Sequence, residues 1–172
     1  MIFVAVGAQM AFPRLVDAVD QWARVRQDED VFAQIGPADH VPTHIRWVRF
    51  IDPGAFRAAV QSARLVVGHA GIGTILTSLY FQKPLLVMPR RGDLMETRND
   101  HQVATARRFS ASHNVVVAMD AEELVDRLNC LNIEQKSSEI RPHASNELLI
   151  AIETFVNQDQ LLAPKPTILS PE

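Results

Sequence analysis

Apolar positions along this chain recur with two alternating periods. Ile2 to Val6 is an unbroken apolar run closed by Gly7, which predicts a short buried strand. From Pro13 the spacing turns helical: Leu15, Val19, Trp22 and Ala23 share one face, with Asp17, Asp20 and Arg24 largely off it. Pro13 suits a first helical turn, where its missing N–H costs nothing. Val31–Ile35 and Ile45–Phe50 predict two further strands, separated by the loop "GPADHVPTH". Asp52 followed by Pro53 predicts a capped helix running through Ala63. Strand 65–67, helix 73–81, strand 85–88, helix 99–109, strand 114–118 and helix 121–130 follow in alternation, with Asp120 as a further cap. A last helix over 145–157 precedes the proline-containing end "APKPTILSPE". Strands alternating with helices predict an α/β fold, a doubly wound and mostly parallel Rossmann-like sheet with helices on both faces. The expected organisation is one domain over 1–158 and a C-terminal tail over 159–172.

In such a sheet ligands sit beyond the carboxyl ends of the strands. Three segments converge there: "GAQ" after the first strand, "GHAGIGT" after the fourth, and "PRRGDLMETRNDHQ" after the fifth. The second is a sharp strand-to-helix turn. Glycines at 71 and 73 let successive N–H groups face a ligand, and the following helix adds a partial positive charge. A diphosphate matches that turn, with the Thr74 hydroxyl as a further donor; the plainer reading is a tight turn with Thr74 as a cap. His69 either donates to phosphate oxygens or is bonded to backbone carbonyls. The spacing is neither a dinucleotide fingerprint nor a Walker loop.

In the third segment, Asn99, Asp100, His101 and Gln102 are groups of the kind that read sugar hydroxyls. The ordinary explanation for such a polar run is a solvated loop. Asp100 and His101 also suggest an acid–base pair. Arg90 and Arg91 fit either a carboxylate sugar such as glucuronate or a phosphate.

Composition narrows the classes. A formal net charge of −3 gives no reason to expect a nucleic-acid partner. Cys130 is the single cysteine, which excludes an intramolecular disulfide and is compatible with a reducing compartment. No apolar run is long enough to span a bilayer, and "MIFVAVGAQ" is short for a signal peptide, so a cytoplasmic location is expected. Without an HExxH, a cysteine cluster or a Gly-x-Ser-x-Gly elbow, neither a metal nor a cofactor is expected.

The stretch "GHAGIGTILTSLYFQKPLLVMPRRGDLMETRNDHQVATARRF" resembles the nucleotide-sugar-binding half of GT-B glycosyltransferases, the group that contains MurG. The likeness is strongest to the small catalytic subunits of two-part enzymes. These include the eukaryotic subunit that adds the second N-acetylglucosamine to dolichol diphosphate sugar, and PssE-type subunits of exopolysaccharide and capsule synthesis. "MIFVAVGAQ" followed by "FPRLVDAVDQW" resembles the start of the same subunits, and the likeness covers roughly residues 1–110. It implies that Gly7, Ala8 and Gln9 line a donor cleft, and that His69, Ala70, Gly71, Gly73 and Thr74 hold the diphosphate of a UDP-sugar. It also implies that His101 and Gln102 face the donor sugar, with Asn99 and Asp100 nearby.

Two positions depart from the pattern. Thr77 stands where many relatives have a ribose-gripping glutamate, with Glu96 on the neighbouring loop as the alternative, and Ala8 stands where a threonine is common. The implied reaction is inverting transfer to a lipid-diphosphate-linked sugar acceptor. No residue of this chain is a convincing general base, so that group is expected on a membrane-anchored, acceptor-binding subunit that recruits the chain to the cytoplasmic face. Leu148, Leu149, Ile152, Phe155 and Val156 form an apolar stripe on the last helix, expected to pack on this domain. Ile150 and the segment from Leu161 to Leu169 are the parts left for docking. The alternative function is a non-catalytic nucleotide-sugar-binding regulatory module.

Overall fold

The computed structural model describes residues 1–111 and 114–130. Six parallel strands form one sheet: β1 (Ile2–Ala5), β2 (Val31–Gln34), β3 (Arg46–Val48), β4 (Leu65–His69), β5 (Leu85–Met88) and β6 (Val115–Val117). Among the described residues five helices connect and flank them: α1 (Pro13–Val25), α2 (Pro53–Ser62), α3 (Ile72–Tyr80), α4 (His101–Phe109) and α5 (Ala121–Cys130). The strand order is β3-β2-β1-β4-β5-β6, so the chain works outward from β1 on one side and then restarts beside it. The expected doubly wound α/β architecture is the one observed.

Strand alternation sorts the core into two layers. Ile2, Val4, Val31, Ala33, Leu65, Val67, Leu86 and Met88 point to one face and pack with Leu15, Val19 and Trp22 of α1 and Leu124 of α5. Phe3, Ala5, Val66, Leu85 and Val87 point to the other, against Val60 of α2, Ile75 and Leu79 of α3 and Ala106 of α4. With both faces covered, the strands read as continuous apolar runs, and all four residues of β1 and of β5 are buried.

Element limits shift where tertiary contacts override local pattern. β4 extends past the expected 65–67 because its ladder continues, with Gly68 opposite Val87 and His69 opposite Met88. The run Ile45–Phe50 contracts to Arg46–Val48, whose pairing to β2 ends at Gln34. α4 starts at His101 rather than at residue 99 because the Asn99 side chain accepts the His101 backbone N–H in a local turn. Asp20, read as largely off the buried face of α1, is in fact buried. It accepts the backbone N–H groups of Thr43 and His44 and lies 2.9 Å from His44 Nδ1, which fastens the loop before β3 to α1. Burial opposes its charge, but the His44 hydrogen bonds prevail and hold its carboxyl below the usual range.

The expected helix over 145–157, its apolar stripe, Ile150 and the tail over 159–172 lie outside the described residues. Among the described residues no helix is long and apolar enough to cross a membrane.

Leu86 lies within β5 and has no exposed surface. Leu86→Ala leaves a cavity between β5 and α5 and is expected to lower unfolding stability by ~2–5 kcal/mol. Urea denaturation followed by circular dichroism measures the loss, and a shift below about 1 kcal/mol means the layer collapses around the gap.

Candidate functional site

Strand order reverses between β1 and β4, and the connections leaving their carboxyl ends part there. The turn after β1 begins at Gly7, and the turn after β4 runs from Ala70 into α3. Between them stands the imidazole of His69. A β-carbon on Gly7 would lie 3.0 Å from its Nε2, and one on Gly71 would lie 2.1 Å from the same atom. The ring thus fills space that side chains at either glycine would take. Gly7 also has φ +80, which disfavours any other residue there. Gly71 has φ −82, so its backbone would accept alanine; only the ring excludes it.

His69 Nδ1 lies 3.2 Å from the carbonyl oxygen of Ala5. A carbonyl only accepts, so Nδ1 carries the proton and Nε2 holds the lone pair in the neutral ring. Burial, together with the nearby charge of Arg90, depresses the imidazole to about 4, although the Ala5 carbonyl opposes the shift. The ring is therefore neutral at pH 7. Both readings of His69 meet in one geometry, because it is bonded to a carbonyl and also lines the crevice.

That crevice has a volume of about 410 Å³ and two unlike ends. Gly7, Ala8, His69, Gly73 and Thr74 form the polar end, and Phe50, Ile51, Pro53 and Phe56 form the apolar end, with Thr77 also on the wall. Nothing lies within 4 Å of where a β-carbon on Gly73 would sit, so bare backbone faces open space. α3 begins without a side-chain cap. Its first N–H groups are of the kind that hold anions, and the helix dipole favours negative charge there. Thr74 is not the cap; Gly71 occupies that position, and Thr74 is buried in the first turn. Ala70 is buried in the core beneath the turn.

Sequence reasoning missed the apolar wall. Phe50 looked like the end of a strand and Phe56 like one residue of a helix, although both follow β3 at the same sheet edge. Gln34 was also missed: its side-chain amide donates to Gly7 O at 3.1 Å and Arg49 O at 3.0 Å, joining the turn after β1 to the segment leading to Phe50.

The loop after β5 is organised differently from expectation. Arg90 turns inward and donates to the carbonyls of Val6, Met10 and Ala11. Arg91 pairs with Asp93 at 2.6 Å. Glu96 holds Arg14 through two 2.7 Å contacts and also accepts the Arg91 backbone N–H, so its oxygens are engaged away from Thr77. Asp100 accepts the Gly92 N–H and His101 pairs with Asn99, so these two do not form the suggested acid–base pair. Gln102 is buried and accepts the Arg90 backbone N–H through Oε1. None of Gln9, Arg90, Arg91, Glu96, Asn99, Asp100, His101 or Gln102 lines the crevice described above. The structure brings together Gly7, Ala8, His69, Gly71, Gly73 and Thr74. Among the described residues no group of three potential metal ligands occurs.

A parallel Rossmann-like half with this crevice at its switch point is the architecture of GT-B glycosyltransferases. The chain belongs to the glycosyltransferase family 28 C-terminal domain, which it matches over residues 1–155. It is 41% identical over 80 residues to the UDP-N-acetylglucosamine transferase subunit ALG13 of Eremothecium gossypii, a match covering 43% of this chain and 37% of that protein. It therefore spans well under half of that curated relative. The solution structure of ALG13 superposes with a TM-score of 0.57 at 20% identity, covering 88% of this chain and 93% of that one. MurG of Acinetobacter baumannii superposes with a TM-score of 0.50 at 18% identity, covering 74% of this chain and 40% of that one. At those identities the superpositions speak for the fold.

Two measurements check this geometry. Gly71→Ala is expected to cost ~1–3 kcal/mol by driving a methyl into the imidazole. In a His69→Ala background the same substitution should cost much less, and equal costs in a urea double-mutant cycle would separate the glycine from the ring.

The second concerns pH. The folded His69 value of about 4 lies below the unfolded 6.5, so the unfolded chain binds more protons between them. Stability from this group is complete above pH 6.5 and is lost as pH falls toward 4, by up to about 3 kcal/mol. Urea midpoints from pH 7.5 to 4.5 should fall less steeply in His69→Ala than in the native chain.

Proposed function

We propose that this chain is the donor-binding part of a glycosyltransferase that uses a UDP-sugar. The observation that carries the reading is His69 at the polar end of a two-ended crevice, beside the uncapped start of α3. A diphosphate suits the α3 amides, and a uracil ring suits Phe50, Ile51 and Phe56. The ribose then falls near Thr77. Its hydroxyl donates to Gly73 O at 2.7 Å and retains lone pairs for a ribose hydroxyl.

His69 supplies the chemistry of departure. Its neutral ring presents a lone pair at Nε2, which repels a phosphate oxygen. A bound diphosphate raises the imidazole's affinity for a proton, and the protonated ring donates from Nε2. Charge that builds on the leaving UDP meets a donor already in place. The acceptor hydroxyl needs a base, and the residues at this crevice do not furnish a convincing one.

The fuller reading rests on resemblance. The Eremothecium relative is named as a transferase subunit, which supports an enzyme completed by a second chain. Likeness to PssE-type subunits supports a polyprenyl-diphosphate-linked sugar acceptor in exopolysaccharide or capsule synthesis. In that reading a membrane-anchored subunit carries the acceptor and the base, and recruits this chain to the cytoplasmic face. The engaged states of Arg90 and Arg91 remove the argument for glucuronate in particular.

Calorimetry with UDP tests the proposal. Because His69 titrates near 4 when free and higher when bound, UDP binding should take up a proton between those values and tighten as pH falls from 8 to 6. The uptake appears as a dependence of the measured heat on the buffer's ionisation enthalpy, and it should vanish in His69→Ala. Absence of UDP binding would overturn the proposal. Binding of UDP-sugar without transfer, after reconstitution with the acceptor subunit, would favour the regulatory module.

A further inference from the structure

Arg90 is only 3% exposed. Its guanidinium donates to Val6 O at 2.8 Å and Met10 O at 2.7 Å, and also to Ala11 O. Its carbon lies 4.6 Å from the centre of the Phe12 ring. The turn from Val6 to Phe12 therefore closes around one cation. Arg14 stands 5.3 Å from the same ring and takes both Glu96 oxygens. Arg90, Arg14 and Glu96 together carry one uncompensated positive charge. Among the described residues no carboxylate forms an ion pair with Arg90 itself.

A buried charge without a counter-ion is costly, and carbonyl dipoles and a ring face offset only part of that cost. The side chain nevertheless keeps its proton at neutral pH: burial lowers it only to about 10, with Glu96 opposing. Its field reaches the crevice, since Arg90 is among the causes that depress His69. The path is short. Arg90 touches the carbonyl of Val6, the next residue is Gly7, and Gly7 lies against the His69 ring.

We propose that Arg90 is a positioning residue of the donor site whose counter-ion is the donor's own diphosphate. It shapes the turn after β1 by gathering three carbonyls, and it sets a buried cation behind the polar end of the crevice without touching the ligand. This rests on the UDP-sugar reading above. It differs from the direct contact expected for Arg90 from the sequence, because the charge acts through the turn. A buried cation is screened less by salt than a surface one, so the attraction persists at physiological ionic strength.

The test compares UDP with uridine, which shares the base and ribose but has no phosphate. Affinities are measured by calorimetry for the native chain, Arg90→Met and Arg90→Lys, with folding checked by circular dichroism. Arg90→Met should weaken UDP by ~10-fold or more while changing uridine by less than ~2-fold, a tenfold loss being about 1.4 kcal/mol. Arg90→Lys, which keeps the charge but not the fork, should retain most of the preference for UDP. Equal losses for both ligands in Arg90→Met, or no loss, would reduce Arg90 to scaffolding and overturn the inference. If Arg90→Met does not fold, Arg90→Gln takes its place with the same outcomes: a loss confined to UDP supports the inference, and equal losses or no loss overturn it. Failure of the native chain to bind either ligand is a separate result. That would overturn the nucleotide reading, and this inference with it.

Discussion

The His69 ring sits where a β-carbon on Gly71 would have to go and close against where one on Gly7 would lie, and much of the crevice follows from that crowding. Two turns from different strands must both be bare for one imidazole to stand between them. The ring in turn is held by the carbonyl of Ala5, the last residue of the central strand. β1 pairs with both β2 and β4, so its end is fixed from either side. His69 inherits that rigidity. A polar group on a frame this stiff faces the crevice in one orientation and in one tautomer, which is what a preorganised donor site requires.

Around this point the structure is cross-braced over long sequence distances. Arg90, following β5, holds the turn after β1. Arg14, on the helix after β1, holds the loop after β5 through Glu96 and Pro89 O, and the turn after β6 through Met119 O. Gln34, at the end of β2, ties the first turn to the segment before Phe50. Each arginine thus steadies the loop that the other comes from. Among the described residues no buried side-chain polar atom lacks a hydrogen-bond partner, so the bracing is complete as well as extensive.

The sequence made some of this legible and concealed the rest for physical reasons. Strand faces and helix stripes depend on neighbours within a few positions, and apolar runs such as Ile2–Val6 and Leu65–Val67 declare themselves. The glycines and His69 also announce a turn, because a strand-to-helix junction is a local event. The partners of Arg90 and Glu96 are about eighty residues away in the chain, and no spacing rule reaches that far. A run of charges on a loop reads the same whether its arginines face a ligand or the core. Asp20 shows the same limit, since a buried carboxylate on α1 makes sense only once the loop before β3 is in place. Phe50 and Phe56 were hidden by their own ordinariness, as aromatics in a strand and a helix usually mean core.

On the proposed reading, the placement of charge lets the crevice take an anion without a cationic side chain lining it. Its polar end is built from backbone, a threonine and a neutral histidine, while the cation stands behind the turn. An exposed lysine or arginine at the same place would bind phosphate more directly, but it would be hydrated, mobile and screened. A buried guanidinium fixed by carbonyls loses none of its geometry when the ligand leaves. Burial is the main cause that keeps His69 deprotonated in the empty site, and the neighbouring cation of Arg90 adds to it. On the proposed reading, a bound diphosphate would reverse that balance by supplying the negative charge that both groups lack. Proton uptake by His69 and compensation of Arg90 would then be two consequences of one event, and on that reading a departing nucleotide would meet a site whose positive charge is greatest while it is bound.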